Sequence, residues 1–455
     1  MVSLVDEGVK PVLDLLQEKA GITALFVATQ AFDRGVQGRP TAAQTWPGHG
    51  SQEEDDHRGG SYVTQHPQFY DGTVLKPYRA PDPETVGFDV LDAVIPEARA
   101  RDIKVYSFVL ENTHSGLTRS VPNWPKVLQV DAWGRTDNYA CLRNPDYVNW
   151  WLSVVEDQVK SYPLDGLMFG SERNGPLGNT IGRGGLARNA NPYCFCGYCI
   201  AAGDGRGIDC RRAREGYVAL FDLTQEETQE PDGDSSFVRY LRLLLTYPEI
   251  VGWDQLWYDG YQDLQKRIYG MVKFLAPSVQ VGWHIWHHNS FSPLLRAQNN
   301  FADIAGYSDF VKPVLYNSCA GYRLHDHVRR VCRSIFRGVD EQTVFDLFRA
   351  TLGYGEDVPF EELPGLGLSP DYVLRETRRT VRAVGGRAAV YPGLDLNVAS
   401  PPYAKKAAPE DVRASVRSAL DGGADGIVLS RKYAEMTWDN LEAVGLALRE
   451  TRANG

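Results

Sequence analysis

The sequence predicts an α/β protein of the (β/α)₈ barrel class with long insertions at the carboxyl end of the barrel. Three observations lead there. Short β-branched or aromatic runs, apolar on both faces, alternate with amphipathic helical stretches, as a parallel sheet wrapped by helices requires. Many of these runs close on polar residues, and such barrels carry their active sites at the strand carboxyl ends. The chain has 455 residues and no linker-like tract, and barrels with insertions exceed 400 residues as one unit.

Eight strands are expected. They are Ile22–Thr29, Tyr62–Phe69, Ile103–Glu111, Leu164–Glu172, Val279–His287, Phe310–Asn317, Ala388–Leu396 and Ala424–Tyr433. The second is short and polar. The helix before the fourth has the clearest specification: Asn144 can cap it, Pro145 suits its first turn, and Val148, Trp151, Leu152, Val155 and Val159 share one face. The helix entering the eighth strand begins at Pro409 and ends at Gly422-Gly423. Three stretches exceed ordinary loop length and are assigned to mouth insertions: 32–60, 112–140 and 173–234. Helical patterning over 324–384 supplies extra helices, and residues 1–455 form one domain.

Composition narrows the function. With 43% hydrophobic and 23% charged residues the chain suits a large buried core, and its net charge of −10 comes without a basic stripe. Nucleic acid is therefore not an expected partner, and the Arg-dense stretch Arg375–Arg382 reads as a solvated helix face. No run of about 18 apolar residues occurs, so no membrane partner is expected. Met1–Ala20 reads as an amphipathic helix with acidic residues, not a signal peptide. Seven cysteines, an odd number with three clustered, do not suit a disulfide-stapled secreted domain. A cytoplasmic enzyme is the expectation, with a homo-oligomer left open.

The strand ends supply the chemistry. The third closes on Glu111-Asn112, the fourth on Ser171-Glu172-Arg173, the fifth on His284, His287 and His288, and the sixth on Tyr316-Asn317. The seventh closes on Asp395 and Asn397, and the eighth on Arg431-Lys432 with Glu435 beyond. Glycoside hydrolysis uses two carboxyl groups across the scissile bond. Glu172 and Asp395, each preceded by small residues that open the backbone, are the expected pair, Glu172 as general acid/base and Asp395 as nucleophile or base. Glu111 and Glu435 are reserves; Glu111 can instead pair with Arg173 or Lys312, and Glu435 can hold Arg431. Sugar faces stack on aromatic rings, so Trp133, Trp286, Tyr316, Tyr391 and Tyr433 are candidate platforms. His284, His287, Lys312, Asn397 and Arg431 are candidates for sugar hydroxyls.

Two alternatives stay open. A metal held by His284, Glu172 and Asp395 would make the protein a sugar isomerase, epimerase or lyase. A catalytically silent carbohydrate-binding barrel would bind sugar without turnover. Separately, Cys194, Cys196 and Cys199 form C-x-C-x-x-C with Cys210 eleven residues on, a set that can hold a structural zinc or stay as reduced thiols. No cofactor is expected for catalysis.

The stretch RNPDYVNWWLSVVEDQVKSYPLDGLMF, followed by PYCFCGYC, resembles poorly characterised glycoside-hydrolase-like barrel families in which an NP-initiated helix leads into a D-G-[IL]-x-F strand. The closing DGIVLSRKYAEMTWDNLEAVG is similar to their last strand and helix. More distantly the chain resembles family-42 β-galactosidases, which implies a barrel, a carbohydrate substrate and cysteine-bound zinc. It also implies an acid/base Glu after strand four and a nucleophilic carboxylate after strand seven, positions matched by Glu172 and Asp395. One departure stands out: related barrels place an Asp where this chain has Gly170, and the usual Asn-Glu pair after strand four is absent.

Overall fold

A computed structural model describes residues 2–31, 60–81, 86–111, 121–183, 191–227 and 233–454. Its main strands, numbered in chain order, are β1 (Ala24–Ala28), β2 (Lys104–Leu110), β3 (Gly166–Gly170), β4 (Gln280–Ile285), β5 (Phe310–Pro313), β6 (Ala389–Val390), β7 (Gly393–Asp395) and β8 (Val428–Ser430). Strands β1 to β6 form one all-parallel sheet in chain order, and β7 pairs in parallel with β8. A parallel bridge between Val314 and Gly393 links the two sets. Strands β6 and β7 are one stave interrupted at Pro392, which has no N–H to give to a ladder. Among the described residues the result is a TIM-like α/β arrangement of seven staves.

Two expectations are corrected here. Tyr62–Phe69 is not a stave: β1 pairs directly with β2, from Ala24 opposite Lys104 to Ala28 opposite Phe108. That segment is polar, and its Pro67 starts a 3₁₀ turn instead. Nor is the ring sealed by hydrogen bonds among the described residues, because β8 and β1 are not paired. Both short strands leave the seam to side chains, and it is lined by Leu25, Val27, Ile427 and Leu429 with Leu16 and Leu448 from the flanking helices.

Alternation along the staves sorts side chains into two layers. Phe26, Tyr106, Met168 and Phe310 meet inside the ring. Val105, Val109, Leu167, Phe169, Val281, Trp283 and Val311 point out into the helix layer. The expected helix is Pro145–Ser161, its first turn capped by the Asn144 side chain, which accepts from Asp146 N at 2.9 Å. It buries Tyr147, Trp150, Trp151, Val154 and Val155, and Trp124 packs edge-on to Tyr147 and Trp150. The 27-residue helix Glu249–Leu275 lies beside it.

Of the expected insertions, 32–59, 112–120, 184–190 and 228–232 lie outside the described residues. The rest of 112–140 includes an antiparallel hairpin, Leu128–Val130 with Thr136–Ala140. The rest of 173–234 includes helices Pro176–Ile181, Gly197–Asp204 and Cys210–Gln225. The extra helices expected over 324–384 are present as Asn317–Cys332, Glu341–Leu352, Leu363–Leu366 and Pro370–Val384.

Candidate active site

A cavity of about 1190 Å³ runs from the carboxyl ends of the staves into the ring and toward the β8–β1 seam. Of the residues the sequence singles out, Glu172, His284, Trp286, Lys312, Tyr316 and Arg431 all line it. Inward parity explains the core of this set. His284 and Lys312 follow Gly282 and Phe310 on the inward rows of β4 and β5, and Glu172 continues the inward row of Met168 and Gly170.

Two glycines make the arrangement possible. A Cβ on Gly170 would stand 2.7 Å from the Cβ of His284, and one on Gly393 would stand 2.3 Å from Cε of Lys312. Either would displace the buried side chain. Any side chain at position 170 is thus sterically incompatible with His284 as placed here, and the acidic group of this strand sits two residues on, at Glu172.

The three polar groups form a chain. His284 Nε2 lies 3.0 Å from Glu172 Oε1, and Lys312 Nζ lies 3.4 Å from His284 Nδ1 and 3.2 Å from Tyr316 Oη. Burial and the Lys312 charge lower the His284 pKa, so the ring is neutral. One tautomer then satisfies the chain: Nε2–H donates to Glu172, and Nδ1 accepts from Lys312. Burial opposes ionisation of Glu172, but the His284 hydrogen bond and the positive field of Arg323 and Lys312 prevail and hold its pKa at about 2. Burial, aided by Arg323 and opposed by Glu172, brings Lys312 down to about 7.

The structure therefore reverses the expected protonation. Glu172 is the ionised group, not a carboxyl kept protonated. Asp395 is displaced in the other direction, its pKa raised by burial against the hydrogen bonds it receives. It accepts from Cys319 N at 3.0 Å, Asn397 N at 3.1 Å and Val398 N at 3.0 Å, and it is not among the cavity-lining residues. It ties the end of β7 to the first turn of helix Asn317–Cys332.

Other expected residues also take structural places. Glu111 falls on the outward row of β2, fully buried, where Arg173 Nη1 donates at 2.9 Å, Ser171 Oγ at 2.8 Å and Tyr147 Oη closer still. Glu435 is buried and held by both Nε and Nη2 of Arg431, at 2.8 and 2.7 Å. His287 is buried beneath the cavity wall, with Nε2 3.2 Å from Tyr372 Oη and Nδ1 accepting from Arg323 Nη1 at 3.0 Å. Asn397, at φ 104°, accepts from Thr437 N and Asn440 Nδ2 and shapes a turn. Trp133 packs against Phe221 with Arg135 over its ring, outside the cavity lining. Tyr391 and Tyr433 both line the cavity, Tyr391 packed on Phe310 in the lower layer of the ring and Tyr433 with its hydroxyl bonded to Glu7.

His288, read from the sequence as part of the fifth strand's polar end, also lines the cavity, whereas Asp137 and Tyr139 from the hairpin, Asn174, Tyr322 and Arg323 were not legible in the sequence. The Asp137 carboxyl interacts with Tyr193, and its Oδ2 is buried with no hydrogen-bond partner among the described residues, a place a substrate hydroxyl would satisfy. Arg323 sits two turns into a helix with no motif around it, and only the fold brings it to Glu172.

Beside the hairpin, the thiols of Cys141, Cys194, Cys196 and Cys199 lie within 4.8 Å of one another, with Cys141 3.6 Å from Cys199 and 3.4 Å from Cys196. Four sulfurs around zinc at about 2.3 Å would stand roughly 3.8 Å apart, so the donor set fits. The fourth member is Cys141, not the expected Cys210, which opens helix Cys210–Gln225 away from the cluster. Cys141 precedes the capped helix and Cys194 follows Tyr193, which bridges to Asp131 of the hairpin turn. The cluster thus ties together the segments that present Asp137 and Tyr139.

No family model matches the chain, and no curated protein matches it. Solved structures do. The glycoside hydrolase domain of PgaB (BpsB) from Bordetella bronchiseptica is similar at 12% identity and a TM-score of 0.50, over 94% of this chain and 89% of that one. A β-galactosidase from the haloarchaeon Halorubrum lacusprofundi is similar at 16% identity and a TM-score of 0.48, over 82% of this chain. One from Marinomonas ef1 follows at 12% identity and 0.49, again over 82%. The chain spans about half the length of these two β-galactosidases, 52% and 53%. The likeness to the PgaB domain is one of fold.

Proposed function

We propose that this protein is a glycoside hydrolase that cleaves a carbohydrate or glycoconjugate in the cavity at the carboxyl ends of its staves. The observation that carries the reading is the ionised Glu172, held by His284 and Lys312 inside a cavity walled by Trp286, Tyr316 and Tyr139. Rings for sugar faces and a fixed negative charge are what an oxocarbenium-like transition state needs. The fold shared with the PgaB glycoside hydrolase domain supports the same class.

In this mechanism Glu172 is the ionised member of a carboxyl pair and faces the positive charge that builds at the anomeric carbon. Asp137 supplies the second carboxyl. The glycosidic C–O bond breaks as the leaving oxygen takes a proton from the Asp137 carboxyl; a water oxygen then bonds to the anomeric carbon, and the proton that water loses returns to the Asp137 carboxylate. The neutral His284 orients Glu172 without competing for its proton. We further propose that Cys141, Cys194, Cys196 and Cys199 hold a structural zinc that steadies the hairpin carrying Asp137.

The metal-dependent isomerase reading has less support. Both His284 nitrogens are engaged, Asp395 is held by backbone amides, and among the described residues the only cluster of metal-ligating side chains is the cysteine one. A panel of aryl glycosides assayed with the parent, Glu172→Gln and Asp137→Asn tests the proposal. Hydrolysis of at least one glycoside by the parent is expected, with both variants slower by roughly 10²-fold or more. An Asp137→Asn variant should suffer least on substrates with good leaving groups. Unchanged rates in both variants would refute the carboxyl assignment.

A further inference from the structure

We infer that the cavity selects an acidic sugar, with Arg323 and Lys312 receiving a carboxylate on the ring bound next to Glu172. This inference rests on the carbohydrate reading of the site, though not on its catalytic mechanism.

Several of the charged groups lining the cavity are neutralised within the protein: Arg173 by Glu111, Asp326 by Arg330, and Arg431 and Lys432 by Glu435. Arg323 and Lys312 differ. Among the described residues neither has a carboxylate within ion-pair distance. Arg323 donates to His287 Nδ1 at 3.0 Å and to Tyr322 Oη at 3.3 Å, and lies over the Tyr316 and Tyr322 rings. Lys312 donates to His284 and Tyr316. Both act on Glu172 from a distance, and every charged group prominent in its surroundings is cationic. Two cations thus face the Glu172 carboxylate in a partly desolvated cavity, with the Asp137 carboxyl elsewhere in the lining.

Burying cations without a counter-ion is costly, and a neutral sugar gives them only dipoles. A ligand carboxylate would balance the charge, and the planar guanidinium of Arg323 suits two-point recognition of that group. His287 makes the orientation of Arg323 specific. It is fully buried and neutral, its Nε2 meets Tyr372, and its Nδ1 accepts from Arg323. A histidine expected to touch substrate instead positions a residue that does.

The experiment is calorimetric binding at pH 6 of methyl glucuronide, methyl galacturonide, their neutral glucoside and galactoside counterparts, and glucose 6-sulfate. The full chain would be compared with Arg323→Gln and Lys312→Met. At least one uronide should bind the parent ten-fold or more tighter than its neutral counterpart, and that advantage should fall to under three-fold in either variant. Circular dichroism establishes which variants fold, and if one does not, the other carries the test. Equal binding of acidic and neutral sugars would overturn the inference, as would an advantage that survives in the folded variants. A gain confined to the 6-sulfate would overturn the carboxylate assignment. Uronide binding without turnover of any glycoside would refute the proposed hydrolase and leave this inference standing; turnover of neutral glycosides with no acidic preference would do the reverse.

Discussion

Replacing Glu172 by Gln tests the electrostatic description of the site independently of any substrate. The carboxyl titrates at about 2 in the folded protein against an ordinary 4.5. The folded state therefore favours the ionised form by roughly 3 kcal/mol. Between those two values the unfolded chain holds more protons, so stability rises with pH there; the contribution is complete above about 4.5 and gone below about 2. Glutamine keeps an oxygen for the His284 N–H but has no charge for Arg323 and Lys312 to attract. Because 27% of the Glu172 side chain remains accessible, solvent reduces the effect, and the variant should be about 1–3 kcal/mol less stable at pH 7. Urea unfolding of parent and variant at pH 7 and at successively lower pH measures it, and the two curves should converge as pH approaches 2. Most buried catalytic carboxylates would give the opposite sign, since removing an unfavourably buried charge stabilises a fold. A variant as stable as the parent at pH 7, or more so, would refute the reasoning that the cationic surroundings outweigh burial.

Other outcomes follow from the same geometry. Lys312 loses its proton as pH rises through about 7, so kcat/KM on a cleaved glycoside should decline on the alkaline side near that value, and Lys312→Met should abolish that limb of the profile. Asp395→Asn weakens the hydrogen bonds from three backbone amides and should lower unfolding stability by about 1–3 kcal/mol. Its kcat should stay within roughly ten-fold of the parent; a loss matching that of Glu172→Gln would return Asp395 to the chemistry. Elemental analysis should find one zinc per chain, lost in Cys141→Ser and retained in Cys210→Ser.

Short-range pattern was legible without coordinates. Inward and outward rows on β2 to β5 follow from period-two alternation, and the capped helix Pro145–Ser161 from Asn144, Pro145 and the apolar face. Strand ends pointed to Glu172, His284, Lys312 and Tyr316, because parity and position along a stave are local properties. The same parity, applied strictly, places Glu111 outside the ring.

What tertiary structure decided was pairing across distance. Whether Tyr62–Phe69 joins the sheet depends on whether β1 and β2 can hydrogen-bond directly, a competition that no window of sequence contains. Cys141, and not Cys210, completes the thiol cluster because the chain returns 53 residues later to the same corner, while Cys210 starts a helix that leads away. Protonation was decided in the same way. The pKa of Glu172 depends on the sum of its burial, the His284 hydrogen bond and the charges of Arg323 and Lys312, all three residues more than 100 positions distant in sequence. Residue type and period specify which groups enter the ring; only the packed fold specifies which of them meet, and hence which carries charge.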